Sequence, residues 1–173
     1  TWEFVDPGSG PIWDGSSRNV LYDNGPVVNS PGTGFGGADE SILETALGMN
    51  TLGFGYQLSA GNRIADDFTV PAGETWEITH ITTFGYQTSA PTDPSPIAGI
   101  NLQIWDGDPR DPSATVIFGD MTTNRMVETA WMNAYRVTDT TTGSATNRGI
   151  MANVAEAMVT LTEGTYWLDF QAD

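Results

Sequence analysis

Three aspartates crowd into the stretch WDGDPRDP, residues 105–112: Asp106, Asp108 and Asp111. A fourth, Asp120, follows a short apolar run that would bring the chain back beside them across a hairpin. Acidic loops between strands can supply several of the roughly six to eight oxygens that Ca²⁺ takes. The spacing departs from an EF-hand, because Arg110 falls where an oxygen is wanted and no glutamate closes the loop. The same residues suit a stiff turn, in which Asp106 and Asp111 accept from nearby backbone N–H groups while Pro109 and Pro112 fix φ. Asp106, Asp108, Asp111 and Asp120 are thus the metal candidates. Ca²⁺ is the ion they would admit, and the sequence requires no cofactor. A second Trp-Asp-Gly, at residues 13–15, lacks matching flanks and marks no repeat.

Asp66 and Asp67 form a second acidic site. Adjacent strand residues point to opposite faces, so one of the two must turn inward. An inward carboxylate needs a cation, an arginine or several backbone donors. Arg125 and Arg136 are the expected partners, ahead of metal. Six tryptophans, at 2, 13, 76, 105, 131 and 167, could include a platform on which the apolar face of a sugar ring stacks. Trp76 and Trp167 sit in strongly patterned strands and read as core, whereas Trp105 and Trp131 read as near-surface ligand contacts. Trp2, Phe4 and Trp13 lie on an N-terminal arm that would dock against this domain or a neighbouring copy; they are the assembly candidates. Catalysis has little support. His80 is the one histidine, there is no cysteine, and no Gly-x-Ser-x-Gly nucleophile motif occurs. A glycosidase needs two carboxyls across a cleft, and sequence cannot select the pair among 22 acids.

The elements that must carry these residues follow from composition and periodicity. At 173 residues the chain fits one domain with a core of its own. Its formal charge is −16, from 22 acids against 6 bases, all of them arginine. That field disfavours nucleic acid and anionic membrane surfaces, and leaves cations, neutral glycans and other proteins as partners. No apolar run approaches the roughly 20 residues of a membrane-spanning helix. The first residue is not methionine, as in a secreted chain whose signal peptide has been removed.

Residues 1–18, hinged by Pro7 and Pro11, read as an extended arm, and residues 19–173 as a β-sandwich domain. Residues 38–49 offer a short helix or a crossing loop, with Asp39 as cap. From residue 52 onward, period-2 alternation dominates. Residues 52–58 read as a strand. Residues 75–87 place Trp76, Ile78, His80 and Thr82 on one face and Glu77, Thr79 and Ile81 on the other. A helical turn within ANVAEAM, residues 152–158, is the other helix candidate. Many short strands between Gly/Pro turns predict an all-β, antiparallel, jelly-roll-like β-sandwich with at most one or two short helices. The terminal strand GTYWLDF has apolar residues on both faces, as an interior strand would, so the expectation is an edge position or a sheet completed by further chain.

Several segments carry a resemblance. Ala65–Trp76 (ADDFTVPAGETW), Ile104–Gly107, Phe118–Asp120, Thr122–Arg125 (TTNR), Tyr135–Arg136 and Gly164–Asp169 (GTYWLD) resemble a broad, largely uncharacterised set of exported bacterial β-sandwich proteins, many with C-terminal sorting signals of the PEP-CTERM kind. The resemblance spans about residues 20–173. It implies secretion and a sandwich fold, and it brings no catalytic residues. Relatives usually continue past the Tyr-Trp-Leu-Asp strand.

These readings converge on a non-catalytic extracellular or cell-surface module. The leading expectation is a matrix or filament subunit that associates with its own copies or with other surface proteins by strand addition. The alternative is a carbohydrate-binding module assisted by Ca²⁺, and a polysaccharide-active enzyme stands third.

Overall fold

The computed structural model describes residues 2–5 and 20–173. Most of the expected arm, Trp13 included, lies outside the described residues. Eight strands occur among the described residues: β1 (Trp2–Val5), β2 (Val20–Asp23), β3 (Asp39–Leu43), β4 (Ile64–Gly85), β5 (Ile100–Trp105), β6 (Val116–Asp120), β7 (Met126–Thr138) and β8 (Gly149–Ala172). The helical content of the described residues is confined to 3₁₀ turns of three residues, such as Thr45–Leu47. None of their helices is long and apolar enough to cross a membrane.

β4 and β8, at 22 and 24 residues, pair antiparallel from Ile64 opposite Phe170 to Gly85 opposite Met151. Every other strand except β2, β3 and β6 attaches directly to this pair. At its far end, β1 adds to β4 through Phe4 opposite Ile81, and β7 adds to β8. At its near end, β5 adds to β8 through Gln103 opposite Asp169, and β6 extends β5.

The pair cannot be straight. Phe4 is in register with Ile81, yet its ring centroid is 4.5 Å from that of Phe68 on the same strand β4. A straight strand rising about 3.3 Å per residue would hold those two positions roughly 40 Å apart. Register breaks between Val70 and Thr75 and between Ile78 and His80 let β4 and β8 bend, so the sheet curls and its two halves face each other. The core fills the space between. Trp2 and Phe4 meet Phe68, Trp76 and Ile78 from β4, Ile100, Leu102 and Ile104 from β5, and Leu161, Leu168 and Phe170 from β8. A smaller cluster of Ala38, Tyr135 and Val137 lies under β3 and β7, with Trp131 packed against it.

The all-β expectation holds, with three local departures. First, residues 39–43 form a strand, not a helix, and β3 pairs parallel with β7, so the sheet is mixed. Glu40 explains why: its buried carboxylate accepts from Thr33 Oγ1 at 2.8 Å and from Gly143 N at 2.8 Å, tying two loops to the strand. Second, residues 52–58 are not a strand. Phe54 is exposed, and the segment docks through Tyr56, whose ring packs on Phe170 and whose carbonyl accepts from Ala172 N. Burial pushes the Tyr56 phenol up to about 12. Third, the register break at Ile78/His80 reverses the side-chain alternation, and Ile81 lands in the core beside Trp76 and Ile78. The residues of ANVAEAM continue β8 without a helical turn.

The strand carrying GTYWLDF is interior, bonded to β4 on one side and β5 on the other. Trp2 and Phe4, expected to serve assembly, are at most 1% exposed inside the chain's own core. Phe4→Ala is therefore expected to destabilise the fold by about 3–5 kcal/mol in equilibrium denaturation and to leave the solution mass unchanged. A change of mass at unaltered stability would return Phe4 to an assembly role.

Candidate functional site

Strand alternation gives each half of the curled sheet an inner and an outer face. In the near half, Ile100, Leu102, Ile104, Leu168 and Phe170 point into the core. The intervening residues are Asn101, Gln103 and Trp105 on β5 and Trp167, Asp169 and Gln171 on β8, and they stand on the outer face. The register aligns them in three cross-strand pairs: Asn101 with Gln171, Gln103 with Asp169, and Trp105 with Trp167. Side chains of such pairs are immediate neighbours.

Asp169 organises this face. It is 1% exposed. Its Oδ2 accepts from Gln103 Nε2 at 2.9 Å and Trp105 Nε1 at 3.4 Å, and lies 3.3 Å from Arg63 NH1. A buried carboxylate is tolerated only with such donors and a countercharge. In return it fixes the rotamers of Gln103 and Trp105. One pair further along, Asn101 Nδ2 and Gln171 Nε2 both donate to the Met121 carbonyl, at 3.0 and 3.2 Å, which closes that end. At the other end the two half-buried indoles of Trp105 and Trp167 form the open margin.

The loop 106–115 joining β5 to β6 supplies the rim of that margin. Asp106 clamps its ends, accepting from Thr115 N and Thr115 Oγ1, both at 2.6 Å. Asp108 accepts from Arg110 Nε at 3.0 Å and pairs with its guanidinium. Asp111 caps Ser113, accepting from its N at 2.9 Å and its Oγ at 2.8 Å. Thus held, Arg110 places its guanidinium carbon 6.0 Å from the centre of the Trp167 ring, at the outer limit of a cation–π contact. Asp120, at the end of β6, accepts from the backbone and hydroxyls of Thr122 and Thr123 at 2.7–2.9 Å. Hydrogen bonds from these threonines hold the Asp120 carboxyl well below the usual carboxylate range, and bonds from Thr115, Arg110 and Ser113 lower Asp106, Asp108 and Asp111 in the same way.

The four metal candidates are therefore each engaged in a turn of their own. Among the described residues no group of three or more histidines, cysteines or acids gathers to hold an ion. Asp66 does turn inward, but its partners are Asn24 Nδ2 at 2.9 Å and Trp2 Nε1 at 3.4 Å, not an arginine. Arg125 instead lies over Phe118 with a long 3.7 Å approach to Asp120, and Arg136 binds the Leu52 carbonyl and Ser41.

The two proposed ligand tryptophans separate. Trp105 belongs to the outer face, whereas Trp131 donates to the Ala134 carbonyl at 3.0 Å and packs on Tyr135 in the small cluster. Trp167, expected in the core, is half-buried on the outer face instead. Asp169, Gln103 and Arg63 were not singled out by sequence reasoning. The one signal for Asp169 and Gln103 is polar residues alternating with apolar ones in INLQIW and YWLDFQ, and Arg63 has none. A separate hollow of about 270 Å³ lies beside Glu3, Asp23 and Phe84, with no cationic side chain among the described residues that line it.

Comparison of the chain with known protein families, with curated proteins and with solved structures finds no match. The reading of the site rests on its geometry.

The lowered carboxyls make a pH prediction. A group depressed on folding stabilises the fold above its unfolded value of about 3.9, and that contribution is lost as pH falls through the folded value. Asp120→Asn should lower the melting temperature at pH 7, and its deficit should shrink as the pH drops below about 4. Stabilisation of the native chain by millimolar Ca²⁺ that Asp108→Asn abolishes would establish the metal reading.

Proposed function

We propose that this chain is a non-catalytic, exported binding module that holds a neutral glycan against the Trp105–Trp167 pair. One observation carries the reading: two half-buried indoles stand opposite each other in register on adjacent strands, with Asp169 and Gln103 as the next pair behind them. Binding sites commonly join an aromatic surface to a few fixed polar groups that set orientation. A pyranose offers both complements, an apolar C–H face for the indole and hydroxyls for Asp, Gln and Arg. Trp105 is oriented before any ligand arrives by its bond to Asp169, and preorganisation lowers the entropy lost on binding. Charge favours a neutral partner. The chain carries −16 overall, and the arginines nearest the face, Arg63 and Arg110, are already paired with Asp169 and Asp108.

Association by strand addition is the second reading. Among the described strands β6 pairs with β5 alone, and it exposes Val116 and Ile117. Such an edge is a template for another strand.

An array of neutral oligosaccharides, read out with the native chain and three variants, tests the proposal. Trp105→Ala and Trp167→Ala should each weaken binding by roughly tenfold to a hundredfold, the equivalent of about 1.5–3 kcal/mol for one large apolar contact. Trp131→Ala should lower stability and leave affinity within about twofold. Retention of affinity in both Trp105→Ala and Trp167→Ala would refute the site. An empty array with concentration-dependent self-association would favour the second reading.

A further inference from the structure

Resting on the glycan reading, we infer that Asp169 Oδ1 is the acceptor for a ligand hydroxyl, which makes Asp169 the residue that selects a polyol over any other ring able to stack on Trp105 and Trp167. The two oxygens of this carboxylate are treated unequally. Oδ2 is surrounded by Gln103 Nε2, Trp105 Nε1 and Arg63 NH1. Oδ1 is buried and meets no hydrogen-bond donor among the described residues. An orphaned buried acceptor destabilises the fold, the more so when it is charged. The other buried acid among the described residues shows the contrast: Glu40, 0% exposed, has a donor on each oxygen, Gly143 N on Oε1 and Thr33 Oγ1 on Oε2.

The missing partner is defined by what already surrounds the group. Arg63 balances the charge of Asp169, so a second cation has little to gain. A carbonyl or ether oxygen offers no proton. A neutral O–H donor fits. The Arg63 side chain paired with Oδ2 is 44% exposed, so this cluster reaches solvent on its Arg63 side. A sugar lying on the two indoles would point a hydroxyl at Asp169, one cross-strand pair behind them.

The test uses cellohexaose, xylohexaose and mannohexaose beside their per-O-methylated forms, which keep their ring faces and lose every hydroxyl donor. Titration calorimetry on the native chain should show at least a tenfold loss for the methylated form of whichever hexaose binds. Asp169→Asn provides the second arm. Its carbonyl oxygen would remain with the three donors, and its NH₂ would take the place of Oδ1, so the charged acceptor is lost and the ligand hydroxyl is left with at most a weaker neutral bond as acceptor. Affinity for the unmodified hexaose should fall at least tenfold, with folding verified by melting temperature. Equal binding of methylated and unmodified hexaose would overturn the inference while leaving the stacking platform intact. So would a folded Asp169→Asn of unchanged affinity. If the native chain binds none of the three hexaoses, the inference falls together with the glycan reading.

Discussion

The structure depends on one antiparallel pairing, β4 with β8, and on the places where that pairing is interrupted. Neither strand could run uninterrupted and still bury its apolar residues, because a flat pair has no second layer to cover it. The breaks between Val70 and Thr75 and between Ile78 and His80 convert a ribbon into two facing halves. Phe4, added at the far end, can then pack on Phe68 at the near end. The aromatic group of Trp2, Phe4, Tyr22, Phe68 and Trp76 is the product of that curl, and its rings approach in tilted, edge-on and stacked arrangements at 4.5–6.5 Å.

The same pairing determines where chemistry can reside. Since β8 is bonded on both sides, its outward residues Trp167 and Asp169 are held as firmly as its inward ones, Leu168 and Phe170. A platform on a central strand is stiffer than one on a loop. The loop 106–115 contributes differently: its aspartates close turns, and the turns hold Arg110 near Trp167. Those aspartates act as hydrogen-bond acceptors within the turns.

Local patterns in the sequence were legible where only neighbours along the chain decide the outcome. The proline-stiffened turn after Trp105, the strand at 100–105 and the interior character of YWLDF follow from turn chemistry and period-2 alternation. The failures share a cause, which is competition from distant partners. ADESIL has a helical stripe, but β7 and the buried Glu40 draw it into a parallel strand. Ile81 reads as facing away from Trp76 until a break in pairing with β8 reverses the alternation. Asp169 could not be chosen from 22 acids, because its partners come from residues 63, 103 and 105, which only the register brings together. Trp105 was identifiable as a surface tryptophan, but its companion on the opposite strand was not.

The most direct test of the account follows the indole N–H resonances of the ¹⁵N-labelled chain during titration with cellohexaose, xylohexaose or mannohexaose. The account predicts that the signals of Trp105 and Trp167 move together along one binding curve, while those of Trp2, Trp76 and Trp131 stay in place. Movement of Trp131 with Trp105 and Trp167 unmoved, or no movement of any indole with all three sugars, would contradict it.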